Sequence, residues 1–390
     1  MAIHVGLITR CEVPYTLDLA NQLCEAGLSV TLYLCREHTI AEVGDSENPL
    51  ESLYKLGLVP RKCRVRLIQL PRMRSLRSLS VFHSLARTIR EDRVDVVHLL
   101  VASDEIWFAV LPHLLHGMPV VSTMTQPTRD IGERSPFLVI WAIQKLLTMG
   151  SDHLIVNGED QPELLRKHYQ VSIDRTSFIP LSVRTTAIKM ATKPVVEERA
   201  TVLFFGRAVP HKGLEYLVKA ETLIAHHVPD VRILIVAHGN DLERCLKMIK
   251  DADRFEIHPE FVTGSEMAEY FKRACLVVVP YLVSTSSGVL MTAYAFGKPV
   301  VASNIAGLKE YVEPDSTGLL VPPGDTKQLA DAIIRLLSDN KLRQRLGARA
   351  QRWAQEWQEN VTRKTVEAYE HAMMAHSTGG REAYANTSNT

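Results

Sequence analysis

The sequence predicts an α/β fold of two Rossmann-like, doubly wound domains, and three observations lead there. The chain has 390 residues, more than one hydrophobic core ordinarily supports, so two domains are expected. Short runs rich in Val, Ile and Leu alternate with stretches of helical periodicity, the pattern of parallel βαβ units and not of hairpins. The alternation also stops once and restarts. Residues 184–200 show no strong periodicity and contain Lys193-Pro194, so they read as a linker between domains at 1–183 and 201–357.

In the first domain, strands are expected near residues 4–9, 30–35, 65–70, 95–101, 119–124, 153–157 and 177–180, with helices such as 15–26 and 80–93 between them. In the second, strands are expected at 202–206, 231–237, 255–258, 276–281, 300–303 and 318–321, followed by a helix at 326–340. Helical periodicity resumes over 342–357 and 361–375, so a terminal helix is assigned to residues 358–375. Residues 376–390 are polar and rich in Ser, Thr and Gly, the composition of a disordered tail. Ligands of open α/β sheets sit beyond the carboxyl ends of the strands. Two such edges facing one central cleft form the expected site.

Composition excludes several classes. Lys and Arg number 45 against 44 Asp and Glu, so no single-sign field points to nucleic acid. The six cysteines form no CxxC pair and fall mostly in apolar runs, as buried reduced thiols do. The chain enters a strand directly, without the charged and apolar regions of a secretory signal, and has no run of 18 apolar residues. A cytoplasmic protein is expected, with the inner face of the membrane as an alternative location.

Phe204-Phe205-Gly206-Arg207-Ala208-Val209-Pro210-His211-Lys212-Gly213 joins a strand end to a helix start. That geometry lets backbone amides and a helix dipole hold an anion, with Arg207 and Lys212 to neutralise it. By itself the run reads equally as a solvated turn; it is neither GxxxxGK[ST] nor GxGxxG. Downstream, Pro280-Tyr281 and Ser284-Thr285-Ser286-Ser287-Gly288 lead into a helix ending near Gly297. This second loop carries small hydroxyl residues and a helix N-terminus, a second place for an anion. Thr317-Gly318-Leu319-Leu320-Val321-Pro322-Pro323-Gly324-Asp325 completes the series.

In order and spacing, these segments over about residues 201–340 resemble the family-4 (group 1) glycosyltransferases of GT-B fold. The resemblance implies sugar transfer from a nucleotide diphosphate-sugar, UDP- or GDP-linked, to a hydroxyl acceptor, with retention and no obligatory metal. It places Arg207 and Lys212 on the donor diphosphate as catalytic cations. Gly206, Ser286, Ser287, Gly288 and Val289 stand beside them. Family members usually carry two glutamates, on the donor sugar and on its ribose hydroxyls, at the positions of Ser284 and Thr292; neither is acidic here, and both hydroxyls are kept as donor-binding candidates. His238, at the end of the 231–237 strand, joins the donor-binding candidates. Thr125 stands where relatives commonly have a histidine; with Gln126 and Arg129 it forms the candidate acceptor group, since hydroxyl, amide and guanidinium all bond sugar hydroxyls. The resemblance also implies that the last helix returns to the first domain. Three alternatives share the architecture: a nucleotide-sugar epimerase, a catalytically silent partner subunit and a glycan-binding protein.

Two features raise the question of membranes. Residues 61–80 hold seven basic side chains and no acid, and residues 136–147 form a strongly apolar helix. Together they match a peripheral enzyme with a lipid-linked acceptor; separately they match a solvated loop and a helix buried between domains or in a homodimer. His98, within Val96-Val97-His98-Leu99-Leu100, reads as a satisfied core histidine.

Overall fold

The computed structural model describes residues 2–70, 77–101, 106–124, 137–284 and 286–378. It divides into two compact units, residues 1–180 with 359–390, and residues 181–358. The first contains β1 (His4–Thr9), α1 (Val13–Glu25), β2 (Ser29–Cys35), α2 (Arg36–Val43), α3 (Pro49–Lys55), β3 (Arg64–Ile68) and α4 (Arg77–Glu91). It continues with β4 (Val96–Val101), α5 (Ile106–Leu114), β5 (Val120–Met124), α6 (Phe137–Gly150), β6 (His153–Val156), α7 (Gln161–Tyr169) and β7 (Thr176–Phe178). The second opens with α8 (Thr185–Met190), β8 (Thr201–Arg207), α9 (Leu214–His227), β9 (Arg232–His238), α10 (Leu242–Leu246), β10 (Phe255–His258) and α11 (Gly264–Arg273). Then come β11 (Leu276–Val279), α12 (Gly288–Ala295), β12 (Val300–Ser303), α13 (Ala306–Lys309), β13 (Gly318–Val321), α14 (Thr326–Ser338) and α15 (Asn340–Ser377).

Both sheets are parallel. Their orders are β3-β2-β1-β4-β5-β6-β7 and β10-β9-β8-β11-β12-β13, each reversing direction beside its first strand. Helices cover both faces, so successive strand residues feed different cores. In the second unit Val202, Phe204, Ile233, Ile235, Leu276 and Val278 pack with Leu217, Ile224, Leu329 and Ile333. Leu203, Leu234, Val236, Val277 and Val279 point the other way, into a core with Phe271, Met291, Tyr294 and Trp353. Local signals agree with this: Thr263 and Glu266 form a reciprocal capping box on α11, and Asp325 caps α14.

Several expectations change. Residues 342–375 hold no break: α15 runs continuously from Asn340 to Ser377. Its residues up to Gln358 belong to the second unit and those from Glu359 to the first. The stretch expected as a linker contains α8, whose Ala187 and Met190 are buried. Residues 376–377 are helical, and the rest of the expected tail, 379–390, lies outside the described residues. All six cysteines are free and five are buried, but Cys11 is exposed.

The basic run is partly neutralised. Arg64 and Arg66 both pair with Asp92 just beyond α4, and the Arg66 bond is the main reason its carboxyl is held down at about 2. Arg72 and Arg74 lie outside the described residues. α6 is divided by face: Ile140, Ile143 and Leu147 are buried, whereas Leu138 and Val139 are exposed. Trp141 donates its indole N–H to the His168 carbonyl at 3.2 Å. Among the described residues no helix is long and apolar enough to cross a membrane.

His98 is indeed internal. Its Nδ1 lies 2.8 Å from the Tyr369 hydroxyl on α15 and its Nε2 2.7 Å from Thr123 Oγ1 on β5. Burial lowers its pKa to about 3 and that of His153 to about 4. Unfolded, each imidazole takes a proton near 6.5. The unfolded chain therefore binds protons first, and stability falls as pH drops below about 6.5 until the folded values are reached. Urea titrations between pH 7.5 and 5 should show a loss of up to about 1.4 kcal/mol per pH unit for each such histidine. His98→Gln should flatten that slope by about one proton's worth. Equal slopes in both proteins would show that His98 is not held neutral.

Candidate active site

The second unit's sheet reverses at the β8–β11 boundary, where the chain leaves neighbouring strands toward opposite sides and opens a crevice at their carboxyl ends. There the end of β8 (Phe205, Gly206, Arg207) and Tyr281, just after β11, line one cavity of about 250 Å³. Lys212 enters from the β8–α9 loop, and Ser286, Ser287, Gly288, Val289 and Thr292 from the approach to α12 and its first turns. Arg184 and Met267 complete the lining. Small-molecule pockets usually measure roughly 300–1,000 Å³. This cavity therefore suits part of a nucleotide-sugar.

The two loops are locked to each other. Gly213 has φ +68°, and a Cβ there would stand 2.0 Å from the Pro280 carbonyl oxygen, so only glycine permits this approach. The Leu282 amide donates to the His211 carbonyl at 2.8 Å. Lys212 Nζ lies 3.7 Å from the centre of the Tyr281 ring, a cation–π contact. On the other side, the Ala208 amide donates to the His238 carbonyl at 2.8 Å, tying the β8–α9 loop to the end of β9.

Polarity follows from burial and helix geometry. The Ser287 hydroxyl accepts from the Leu290 amide at 3.3 Å and caps α12, whose amino-terminal end opens into the cavity. Thr292 Oγ1 donates to the Gly288 carbonyl at 2.8 Å, so toward a ligand it offers only lone pairs. Burial pushes the Tyr281 phenol up to about 12, partly offset by Ser287 and by the charge of Arg207, so Tyr281 is a neutral platform for Lys212. Arg207 is exposed and has no ion-pair partner among the described residues.

Of the residues singled out from sequence, Gly206, Arg207, Lys212, Ser286, Ser287, Gly288, Val289 and Thr292 come together in this cavity. His238 and Ser284 do not line it. His238 faces the ring of Phe261, centroids 5.8 Å apart, and Ser284 donates to the Ser286 carbonyl at 2.7 Å, bracing the loop. Thr125, Gln126 and Arg129 lie outside the described residues. Sequence reasoning missed Arg184 and Tyr281. Tyr281 carried a signal, an aromatic at a strand's carboxyl end; Arg184, in a stretch without periodicity, carried none.

The chain matches the family description "Glycosyl transferases group 1" over residues 199–339 and "Glycosyl transferase 4-like domain" over residues 13–182. A D-inositol 3-phosphate glycosyltransferase from Pseudarthrobacter chlorophenolicus is 26% identical, covering 93% of this chain and 90% of the relative. Alpha-D-kanosaminyltransferase of Streptomyces kanamyceticus is 25% identical over 60% of this chain and 61% of its own. Among solved structures, sucrose-phosphate synthase from Thermosynechococcus elongatus superposes with TM-score 0.69 at 21% identity, covering 96% of this chain and all of its own. Anabaena HepE in complex with UDP-glucose superposes with TM-score 0.67 at 15% identity, covering 96% of this chain and 100% of that one. The likenesses to solved structures show the fold alone, and the two matched descriptions, with the curated relatives, show that the chain belongs to the family-4, group 1 glycosyltransferases.

Proposed function

We propose that the cavity holds the diphosphate of a UDP- or GDP-sugar against Arg207 and Lys212, and that the sugar passes to a hydroxyl acceptor with retention. One observation carries this reading: a cation at the end of β8 and a cation of the segment that follows it share a cavity with the amino-terminal end of an eight-residue helix. Fixed cations, amides and a helix dipole around a small cavity are suited to an anion. Curated relatives named glycosyltransferases, and a fold neighbour bound to UDP-glucose, support it.

The chemistry places little demand on acid–base groups. As the bond between anomeric carbon and diphosphate oxygen breaks, negative charge grows on the leaving phosphate, and Arg207, Lys212 and the α12 dipole stabilise it. The acceptor hydroxyl then gives its proton to that phosphate. A histidine or glutamate is not required at the positions of Thr125, Ser284 or Thr292. Thr292 accepts a hydrogen bond from a ribose hydroxyl, and Thr125, Gln126 and Arg129 are the candidates for the acceptor, a glycan, glycolipid or lipid-linked saccharide. Donor consumption only with acceptor present fits transfer. Turnover of donor alone would indicate an epimerase, and binding without turnover a silent subunit or glycan-binding protein.

Replacing Arg207 or Lys212 by Ala removes a charge-assisted contact worth roughly 1.5–3 kcal/mol. UDP or GDP affinity, measured by calorimetry, should fall at least about tenfold for either variant. Wild-type affinity in both would remove the clamp. Thr292→Val should weaken nucleoside diphosphate binding by about 0.5–1.5 kcal/mol with the fold intact, and an unchanged Kd would exclude the ribose contact. Gly213→Ala should lower stability by more than about 1 kcal/mol and weaken nucleotide binding with it, because it drives the two loops apart. A thermal midpoint equal to wild type would show that the loops tolerate separation.

A membrane-linked acceptor is favoured by one observation, the exposure of Leu138 and Val139 on α6. The protein is then expected to sediment with anionic vesicles at low salt and to be released as salt rises. Retention in the supernatant would indicate a soluble acceptor.

A further inference from the structure

We propose that Cys24 and Cys63 are a disulfide-forming pair, oxidised by a peroxide, and that the bridge fastens the carboxyl end of α1 to the entry of β3. Their sulfurs lie 2.8 Å apart in the reduced chain. A disulfide requires about 2.05 Å, so a movement of under about 1 Å closes the bond. Cys35, Cys245 and Cys275 instead meet His38, Asp241 and the Glu198 carbonyl. Other contacts already hold the two segments together. Lys62 Nζ donates to the Cys24 carbonyl at 2.7 Å, and Asn21 Nδ2 to the Leu58 carbonyl at 2.6 Å. The Tyr54 hydroxyl donates to the Cys63 carbonyl at 2.8 Å, and the Cys63 amide to the Pro60 carbonyl at 2.9 Å. Bridging therefore changes the native geometry little. The stabilisation comes from the unfolded chain, in which cysteines 39 residues apart are tied into a loop.

Both thiols are buried, but Glu25 and Lys62 beside them are exposed, so the pair lies close under the surface. Local opening at the end of a helix admits a small oxidant there. The two sulfurs also have different roles. The hydrogen bond from the Cys63 S–H lowers the Cys24 pKa against burial, and the Lys62 charge assists. The same bond, with burial, raises the Cys63 pKa and keeps its proton in place. Cys24 is thus the attacking group: its thiolate bonds to one oxygen of hydrogen peroxide, and the O–O bond breaks. The other oxygen leaves as hydroxide and becomes water with the proton given up by Cys24. The Cys63 sulfur then attacks the sulfur of the Cys24 sulfenic acid. The S–S bond forms as the S–O bond breaks, and the departing oxygen takes the Cys63 proton and leaves as water. Two thiols lose two electrons, the peroxide gains them, and two waters result.

Treating the folded full chain with hydrogen peroxide, then alkylating and mapping its peptides, tests the assignment. One linked pair is expected, Cys24 with Cys63, and dithiothreitol should reverse it. The linked protein should melt about 5–15 °C above the reduced one. Cys24→Ser and Cys63→Ser should each abolish both the link and the rise. With dimedone present, Cys63→Ser should carry a trapped sulfenic acid on Cys24, whereas Cys24→Ser should leave Cys63 open to alkylation. Cys24 and Cys63 both still alkylated after peroxide in the wild type would overturn the proposal without any variant. So would a link from either one to Cys11, or oxidation of Cys24 to the sulfinic acid with no link. A sulfenic acid trapped on Cys63 would overturn the order of attack, and an unchanged melting temperature in the linked protein would overturn the fastening.

Discussion

The close approach of the β8–α9 loop to the end of β11 is the constraint on which the site depends. Gly213 accepts a left-handed conformation that lets its backbone meet the Pro280 carbonyl, and the Leu282 amide closes the contact on His211. With the loops held together, Lys212 lies over Tyr281 and is oriented before any ligand arrives. A lysine carries about 2 kcal/mol of rotamer entropy. Holding it against an aromatic face removes part of that cost from binding, which is how a flexible cation becomes a preorganised one.

Electrostatics in the cavity are one-sided. Cations, helix amides and hydroxyls line it, and its described lining includes no carboxylate. Such an environment favours an anion over a neutral ligand, because fixed positive charge in a partly desolvated space attracts negative charge strongly. In the proposed transfer the same field stabilises charge accumulating on the leaving phosphate. Neither Ser284 nor Thr292 adds a negative charge. Ser284 turns inward to brace its own loop, and Thr292 bonds back to Gly288 along α12.

The first unit follows a different rule, in which polar groups serve internal connection. His98 bridges Thr123 on β5 and Tyr369 on α15. Asp92 gathers Tyr33, Arg64 and Arg66. Buried polar groups of this kind are costly when incompletely bonded and specifying when complete. Here they fasten the last helix and the β2–β3 edge to the sheet.

Much of the fold was legible because it is written in local patterns. The thirteen runs read as strands correspond to the thirteen parallel strands among the described residues, since a strand covered on both faces is largely apolar. Arg207, Lys212 and the Ser286–Val289 loop could be paired from sequence because strand ends and helix starts concentrate at one edge of such a sheet. The two helical stretches expected at 342–357 and 361–375 are one 38-residue helix, in which residues up to Gln358 belong to the second unit and those from Glu359 to the first. Arg184 was invisible: nothing local distinguishes it, and it lines the cavity only because α8 packs on α11 and α12. The sequence alone determined the sheet architecture and the loops that face an anion, since both depend on residues close along the chain. Only the tertiary structure decided which cations share one cavity, because that depends on contacts between segments far apart in sequence.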